Sequence, residues 1–192
     1  SVFILIEDGF PIFFKQRRTG WDGKSFNIYK LRSLSNTSNS LKTKQVRAGD
    51  KRLLTVGKII RRLSVDELAQ FFNVLIGSMS IVGPRPPVTY ELGDWSTFTP
   101  TMRKRFKVKP GITGFSQVYG RNNLGWDRKI AYDILYINKY KRFGLLVDIY
   151  IVSKTFWVVL TSQGILEKKD AMIDNKKIAK RAQNYNQKKI DE

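Results

Sequence analysis

Short apolar runs alternate with polar, basic stretches along the chain, and their period changes from place to place. Val2, Phe3, Ile4, Leu5 and Ile6 form an unbroken apolar opening that Glu7-Asp8-Gly9 ends. It reads either as the cut end of a longer apolar segment, since no initiator Met precedes it, or as a short edge strand. Ile12-Phe13-Phe14 and Phe26-Asn27-Ile28-Tyr29 predict two short strands. Asp22-Gly23 between them is a tight-turn signal, so Lys15, Arg17, Arg18 and Lys24 fall on a basic hairpin.

Residues 35–50 are polar and lack periodicity, which predicts an exposed loop. A short helix is expected over 53–62. A second begins at Ser64, carries Leu68, Phe71, Phe72 and Leu75 at helical spacing, and stops at Gly77. Pro84, Pro86 and Pro87 exclude a helix interior or a central strand, so residues 80–87 must be irregular. A helix and turn over 99–109, a loop over 110–114, a strand over 115–119 and a turn over 120–123 come next. Residues 126–140 predict an amphipathic helix. Residues 145–160 predict another, with Leu145, Leu146, Ile149, Val152, Phe156, Val159 and Leu160 roughly on one face. That face suits a membrane interface or an ordinary core. From Glu167 the chain is charged, a helix end or a disordered tail. The sum is an α/β domain of irregular, α+β-like architecture: a small hairpin or sheet region with several amphipathic helices, some of them interfacial.

Composition narrows the chemistry. The 192 residues suffice for one domain with a core. There is no cysteine, hence no disulfide and no thiolate, and no histidine, hence no Ser-His-Asp triad and no imidazole zinc site. Acid–base work falls to Asp, Glu, Lys or Tyr, and any metal should be a hard, oxygen-bound ion such as Mg²⁺. The formal net charge of +19 implies an anionic partner: nucleic acid, an anionic membrane or phosphate-bearing substrates. No run reaches the roughly 20 apolar residues of a spanning helix.

Asp66-Glu67 is the sharpest local signal. Ser64-Val65-Asp66-Glu67 fits a capping box, with Ser64 as N-cap and Glu67 reaching back to it. Asp66 would then lie in the first helical turn, where the helix dipole stabilises a carboxylate by roughly 0.3–1 kcal/mol. Arg61 and Arg62 just upstream should add to that and lower its pKa. Such a carboxylate suits a nucleophile towards phosphorus, a Mg²⁺ ligand, or a simple cap. Lys15, Arg17, Arg18, Lys30, Arg32, Arg85 and Arg121 lie in or beside turns marked by glycine and proline, where guanidinium groups and backbone amides can both reach phosphate. A solvated basic face would look the same one residue at a time. Gly83-Pro84-Arg85-Pro86 differs, because it mounts its arginine on a stiff backbone. Most of the aromatic residues fall at core-like positions. Trp21, Trp95, Trp126 and Trp157 would also suit a membrane interface.

Taken in order, several segments resemble the bacterial sugar transferase family, the small monotopic phosphoglycosyl transferases. They are Gly9-Phe10-Pro11-Ile12-Phe13-Phe14-Lys15-Gln16 with Arg18 and Gly20, and Phe26-Asn27-Ile28-Tyr29-Lys30-Leu31-Arg32-Ser33-Leu34. Residues 57–62 lead into Ser64-Val65-Asp66-Glu67-Leu68, with Gln70, Asn73-Val74, Gly77 and Met79-Ser80 after them. Val82-Gly83-Pro84-Arg85-Pro86 and Lys109-Pro110-Gly111-Ile112-Thr113-Gly114 come next. Gln117-Val118, Gly120-Arg121-Asn122, Asp133, Tyr136 and Asp148 complete the set, which runs from about residue 9 to 160. Ala69, Ser78 and Pro87 depart from the usual proline, acidic residue and glutamate of the family.

The resemblance implies a two-step reaction. Asp66 attacks the β-phosphate of a UDP-sugar, UMP leaves, and a polyprenyl phosphate such as undecaprenyl phosphate then takes the phosphosugar from the carboxylate. Glu67 would position or deprotonate the acceptor. Lys30, Arg85 and Arg121 match basic family positions, and Arg18 and Arg32 join them as expected substrate-binding residues. Mg²⁺ is the expected cofactor, with Asp66 as a ligand and Asp148 as either a second ligand or an ion-pair partner. The resemblance divides the chain into a membrane-segment remnant over 1–8, a catalytic domain over 9–165 and a charged tail over 166–192. It places the protein on the cytoplasmic face of a bacterial inner membrane. The membrane surface is then a partner, nucleic acid is not, and homo-oligomerisation is left open. Two rival readings are a basic nucleic-acid-binding module and a catalytically silent membrane scaffold of the same fold.

Overall fold

Asp22 and Gly23 both adopt positive φ, 49° and 77°. A tight hairpin turn requires such angles, which is why an Asp-Gly pair suits it. The turn joins β1 (Phe13–Thr19) to β2 (Ser25–Leu31), antiparallel, with Phe13 opposite Leu31 and Lys15 opposite Tyr29. The computed structural model describes residues 2–35, 50–120 and 124–161, and its described part is a mixed helix and small-sheet domain. Residues 36–49 of the loop expected over 35–50, Arg121, and the charged tail lie outside those residues.

The apolar opening is a helix, α1 (Val2–Asp8), and not an edge strand. Ile4 is fully buried against Leu54 and Ile60, while Val2, Phe3 and Ile6 face outward. The end of α1 also organises a second helix, α2 (Thr55–Arg62). The Glu7 carboxylate accepts the backbone N–H groups of Thr55 and Val56 at 2.5 and 2.9 Å, which caps α2 from a distant part of the chain.

The single helix expected over 64–77 is instead a 3-10 helix, Val65–Gln70, followed by α3 (Phe71–Leu75). The capping box does not form. Ser64 takes a left-handed conformation, φ 55°, and its side chain makes no capping bond. Glu67 turns away to the basic side chains of Lys30 and Arg85. Asn73 fixes this segment to the hairpin. Its amide nitrogen donates to Asn27 O at 2.7 Å and its oxygen accepts from Tyr29 N at 3.0 Å.

Two stretches expected to be irregular pair as a second sheet. β3 (Ser80–Val82) runs parallel to β4 (Gly111–Thr113), with Ser80 opposite Gly111 and Val82 opposite Thr113. The backbones approach so closely that a Cβ on Gly111 would collide with Gly83 N, and one on Gly83 with Lys109 O. Only glycine allows this contact. α4 (Pro100–Lys104) precedes it, with Thr99 as N-cap at 3.2 Å to Met102 N.

Residues 115–119, expected as a strand, form the short helix α5 (Phe115–Val118). All four of its residues are buried. A helical turn puts Phe115 and Val118 on one face, where they pack with Val82, Tyr136, Val147, Ile151 and Val158. α6 (Trp126–Phe143) and α7 (Leu145–Leu160), joined at Gly144, pack on each other and complete this core. A second cluster joins Leu92, Phe98, Phe106 and Trp126. Among the described residues no helix is long and apolar enough to cross a membrane.

Candidate active site

Asp66 and Glu67 occupy the first turn of the 3-10 helix and face strand β2. Lys30 Nζ lies 2.8 Å from Glu67 Oε1 and 4.0 Å from Asp66 Oδ2. Arg85 approaches the same Glu67 oxygen from the proline-rich loop, with its two Nη atoms at 3.4 and 3.5 Å. One carboxylate oxygen thus gathers a cation from the hairpin and another from a loop 55 residues further on. Arg61, on the last turn of α2, donates from Nε to Ser33 Oγ at 2.7 Å and borders the same space.

Asp66 is buried. Burial pushes its carboxyl above the usual range, because desolvation penalises the ionised form, and Glu67 adds to that. Lys30, Arg61 and Arg85 pull the other way. The sequence expectation had the opposite sign. A dipole at the start of a short 3-10 helix is a small term, and loss of water outweighs it. Ionised Asp66 therefore depends on its cationic neighbours.

A cavity of about 330 Å³ opens over these groups. Asp66, Glu67, Arg61, Arg85, Thr113 and Gln117 supply its polar lining. Leu68, Phe71, Ile81, Val152, Phe156 and Val159 supply the apolar lining, from the 3-10 helix, α3, β3 and α7. Leu68, Phe71, Ile81 and Phe156 are also exposed at the surface. Phe72, Leu75 and Ile76, next to Phe71 in sequence, and Trp157 and Leu160, on the same helix as Phe156, are exposed as well. Leu75 is 82% and Leu160 79% exposed, values that mark an uncovered apolar surface.

Of the expected site residues, Lys30, Asp66, Glu67 and Arg85 come together. Arg18 and Arg32 do not face the cavity. Arg18 donates to Pro86 O at 2.9 Å and to Gln16 Oε1 at 2.6 Å, and its burial lowers its pKa to about 10. Arg32 turns inward to Asp8 at 2.5 Å and to the Gly9 carbonyl at 2.5 Å. It lies one residue beyond β2, where the chain bends onto α1, and α1 supplies the acceptors. Asp148 is absent from the cavity lining and accepts the Tyr136 hydroxyl at 3.0 Å. Burial raises its pKa and that bond lowers it.

Thr113, Gln117 and Thr155 belong to the cavity but had no role in the sequence reading. Thr113 and Thr155 share a hydroxyl hydrogen bond of 2.7 Å between β4 and α7. Thr113 stands in the Lys109-to-Gly114 motif and Gln117 in the Gln117-Val118 pair that carried the resemblance, which was the signal available. Thr155 had none.

The chain matches the bacterial sugar transferase family over residues 1–162. It belongs to that family. The chain is similar to the uncharacterized sugar transferase EpsL of Bacillus subtilis, with 39% identity over 84% of this chain and 76% of that protein. It also resembles a UDP-N-acetylgalactosamine-undecaprenyl-phosphate N-acetylgalactosaminephosphotransferase of Aeromonas hydrophila, with 40% identity over 85% of this chain but 39% of that protein. A UDP-glucose:undecaprenyl-phosphate glucose-1-phosphate transferase of Klebsiella pneumoniae shares 39% identity over 76% of this chain and 32% of its own length. The chain therefore spans about a third to two-fifths of these two longer relatives.

Proposed function

We propose that this chain transfers a sugar 1-phosphate from a UDP-sugar to a polyprenyl phosphate through a covalent intermediate on Asp66. The observation that carries this reading is the two-sided cavity. Its charged lining holds a carboxylate pair among cations, and its apolar lining runs out to exposed apolar residues. A donor with a diphosphate and an acceptor with a phosphate on a long hydrocarbon need such a combination. The names of the Aeromonas and Klebsiella relatives supply the substrate classes.

In the first step a carboxylate oxygen of Asp66 forms a bond to the β-phosphorus. The bond from that phosphorus to the bridging oxygen breaks and UMP departs with the electron pair. In the second step an oxygen of the acceptor phosphate attacks the same phosphorus, and the Asp66 carboxylate is released. Lys30 and Arg85 offset the negative charge that both steps bring together. Glu67, bonded to both cations, holds them beside Asp66 and orients the acceptor phosphate. Arg121, in the family-matching Gly120-Arg121-Asn122 motif, is assigned to substrate phosphate on that motif alone.

Adjacent carboxylates of Asp66 and Glu67 fit Mg²⁺, a hard ion that takes one or two carboxylates and fills its remaining positions with phosphate oxygens and water. Among the described residues no group of three or more acidic side chains could hold a metal, so substrate oxygens would complete the set. Bound there, the ion would neutralise diphosphate charge.

The exposed apolar side chains of α1, α3 and α7 lie against a bilayer as a monotopic face, on the cytoplasmic side of the bacterial inner membrane, so the acceptor's chain enters laterally. The test is intact mass of the protein after mixing with a panel of UDP-sugars, together with UMP release. A phosphosugar adduct and UMP are expected, and Asp66→Asn should abolish both. Continued turnover by Asp66→Asn overturns the assignment. Turnover without any trapped adduct would leave transfer but remove the covalent step.

A further inference from the structure

Three of the four residues at 84–87 are prolines, so that segment has one backbone N–H and cannot hold itself in place by its own hydrogen bonds. Its four carbonyls are instead gripped one by one from outside. Gly111 N donates to Pro84 O at 3.0 Å, and Thr19 N to Pro87 O at 3.0 Å. Between them, the buried Arg105 and the half-buried Arg18 take the remaining pair: Arg105 Nη2 donates to Arg85 O at 2.6 Å and Arg18 Nη1 to Pro86 O at 2.9 Å.

Arg105 is held firmly in turn. It is 1% exposed, and Asp133, equally buried, accepts from its Nε at 2.9 Å and pairs with its Nη2 at 2.7 Å. The guanidinium sits 5.1 Å from the ring centres of both Phe106 and Trp126. Ser116 Oγ stands 3.2 Å from the other Asp133 oxygen. A buried ion pair is a poor route to stability, since apolar residues of similar volume often serve as well. What apolar residues cannot supply is a directed donor, and this one ends on the carbonyl of the residue whose side chain reaches Glu67.

We propose that Arg105, anchored by Asp133, and Arg18 are positioning residues that clamp the backbone of the 84–87 loop and so aim the Arg85 guanidinium into the cavity. The inference rests on the proposed role of Arg85 towards substrate phosphate. It gives Arg18 a different task from the substrate contact expected of it, and it gives Arg105 and Asp133 a task in the reaction without any contact to substrate.

Two measurements test the clamp in the full chain. The first is hydrogen exchange at the Gly111 amide, whose protection depends on the Pro84 carbonyl staying in place. Arg105→Lys keeps a charge for Asp133 but cannot span both carboxylate and carbonyl, so exchange at Gly111 should rise about tenfold in the still-folded variant. The second is a double-mutant cycle on kcat/KM for UMP release. Arg85→Lys should cost about tenfold less in the Arg105→Lys background than in the wild type, because a loose arginine has little left to lose. Unchanged exchange, or rate losses that simply multiply, overturns the clamp. Should Arg105→Lys not fold, Arg18→Met, at the less buried end of the loop, is read the same way in both. Should the wild type release no UMP while Gly111 still responds, the functional reading fails and the clamp stands. The reverse result removes the clamp and leaves the reaction.

Discussion

Lys30 Nζ lies 2.8 Å from Glu67 Oε1 and within 4.0 Å of Asp66, so a single ammonium from strand β2 serves both carboxylates. Lys30 is also the foremost charge holding the Asp66 pKa down against burial. Lys30→Met should therefore slow UMP release by about 10²–10³-fold, the usual loss for one electrostatic donor in an active site. It should also move the acidic limb of the pH–rate profile to higher pH, since Asp66 must be ionised to react. A slower variant with an unmoved acidic limb would count against Asp66 as the titrating group.

The raised pKa of Asp66 has a stability consequence with a definite sign. A carboxyl that holds its proton more tightly when folded stabilises the fold fully at pH below its unfolded value. That contribution is lost as pH rises through the folded value. Asp66→Asn removes the penalty of an ionised buried group. The variant should melt at higher temperature than the wild type at pH 7–8, with the gain shrinking as pH falls towards 4. Thermal melts across that range measure it, and a gain independent of pH would refute the raised pKa.

Arg32, buried, pairs with the half-buried Asp8 between the end of β2 and the end of α1. Breaking the pair by Arg32→Met should cost roughly 1–3 kcal/mol of stability. At a temperature where the variant is folded, its KM for the UDP-sugar should match the wild type, because the guanidinium points away from the cavity. Denaturant titration and donor kinetics read the two effects separately.

Phe156 lines the cavity and is 69% exposed, so changing it should leave folding alone. Phe156→Glu should raise KM for polyprenyl phosphate at least several-fold and leave KM for the UDP-sugar unchanged, since it places a charge on the apolar path. Equal effects on both substrates would contradict separate polar and apolar approaches.

Asn73 is fully buried and links Asn27 O and Tyr29 N to the segment that carries Asp66 and Glu67. Asn73→Ala strands those backbone groups and should cost about 1–3 kcal/mol in denaturant titration. Loss of the link should also reduce turnover, because it sets the distance from β2, and hence Lys30, to Glu67.

Features that depend on neighbours a few residues apart were legible in the amino-acid order alone. Asp22-Gly23 dictated a hairpin turn, and the spacing of Leu145, Ile149, Val152, Phe156 and Leu160 dictated a helix with one apolar face, though not whether that face points outward. Ordered motifs carried the family and the Asp66-Glu67 pair. Packing settled whatever depends on distant groups. It made α5 out of a stretch that reads as a strand, because Phe115 and Val118 find Tyr136 and Ile151 together only on one helical face. It sent Arg32 to Asp8 while Lys30, two residues earlier, reached Glu67. It reversed the expected pKa shift of Asp66, because local sequence records nearby charge, whereas desolvation is imposed by the rest of the fold. Turn angles and helical period arise from steric contacts along the chain. Burial and long-range charge partners exist only after separate elements have packed, and they fix which carboxylate, cations and apolar walls share one cavity.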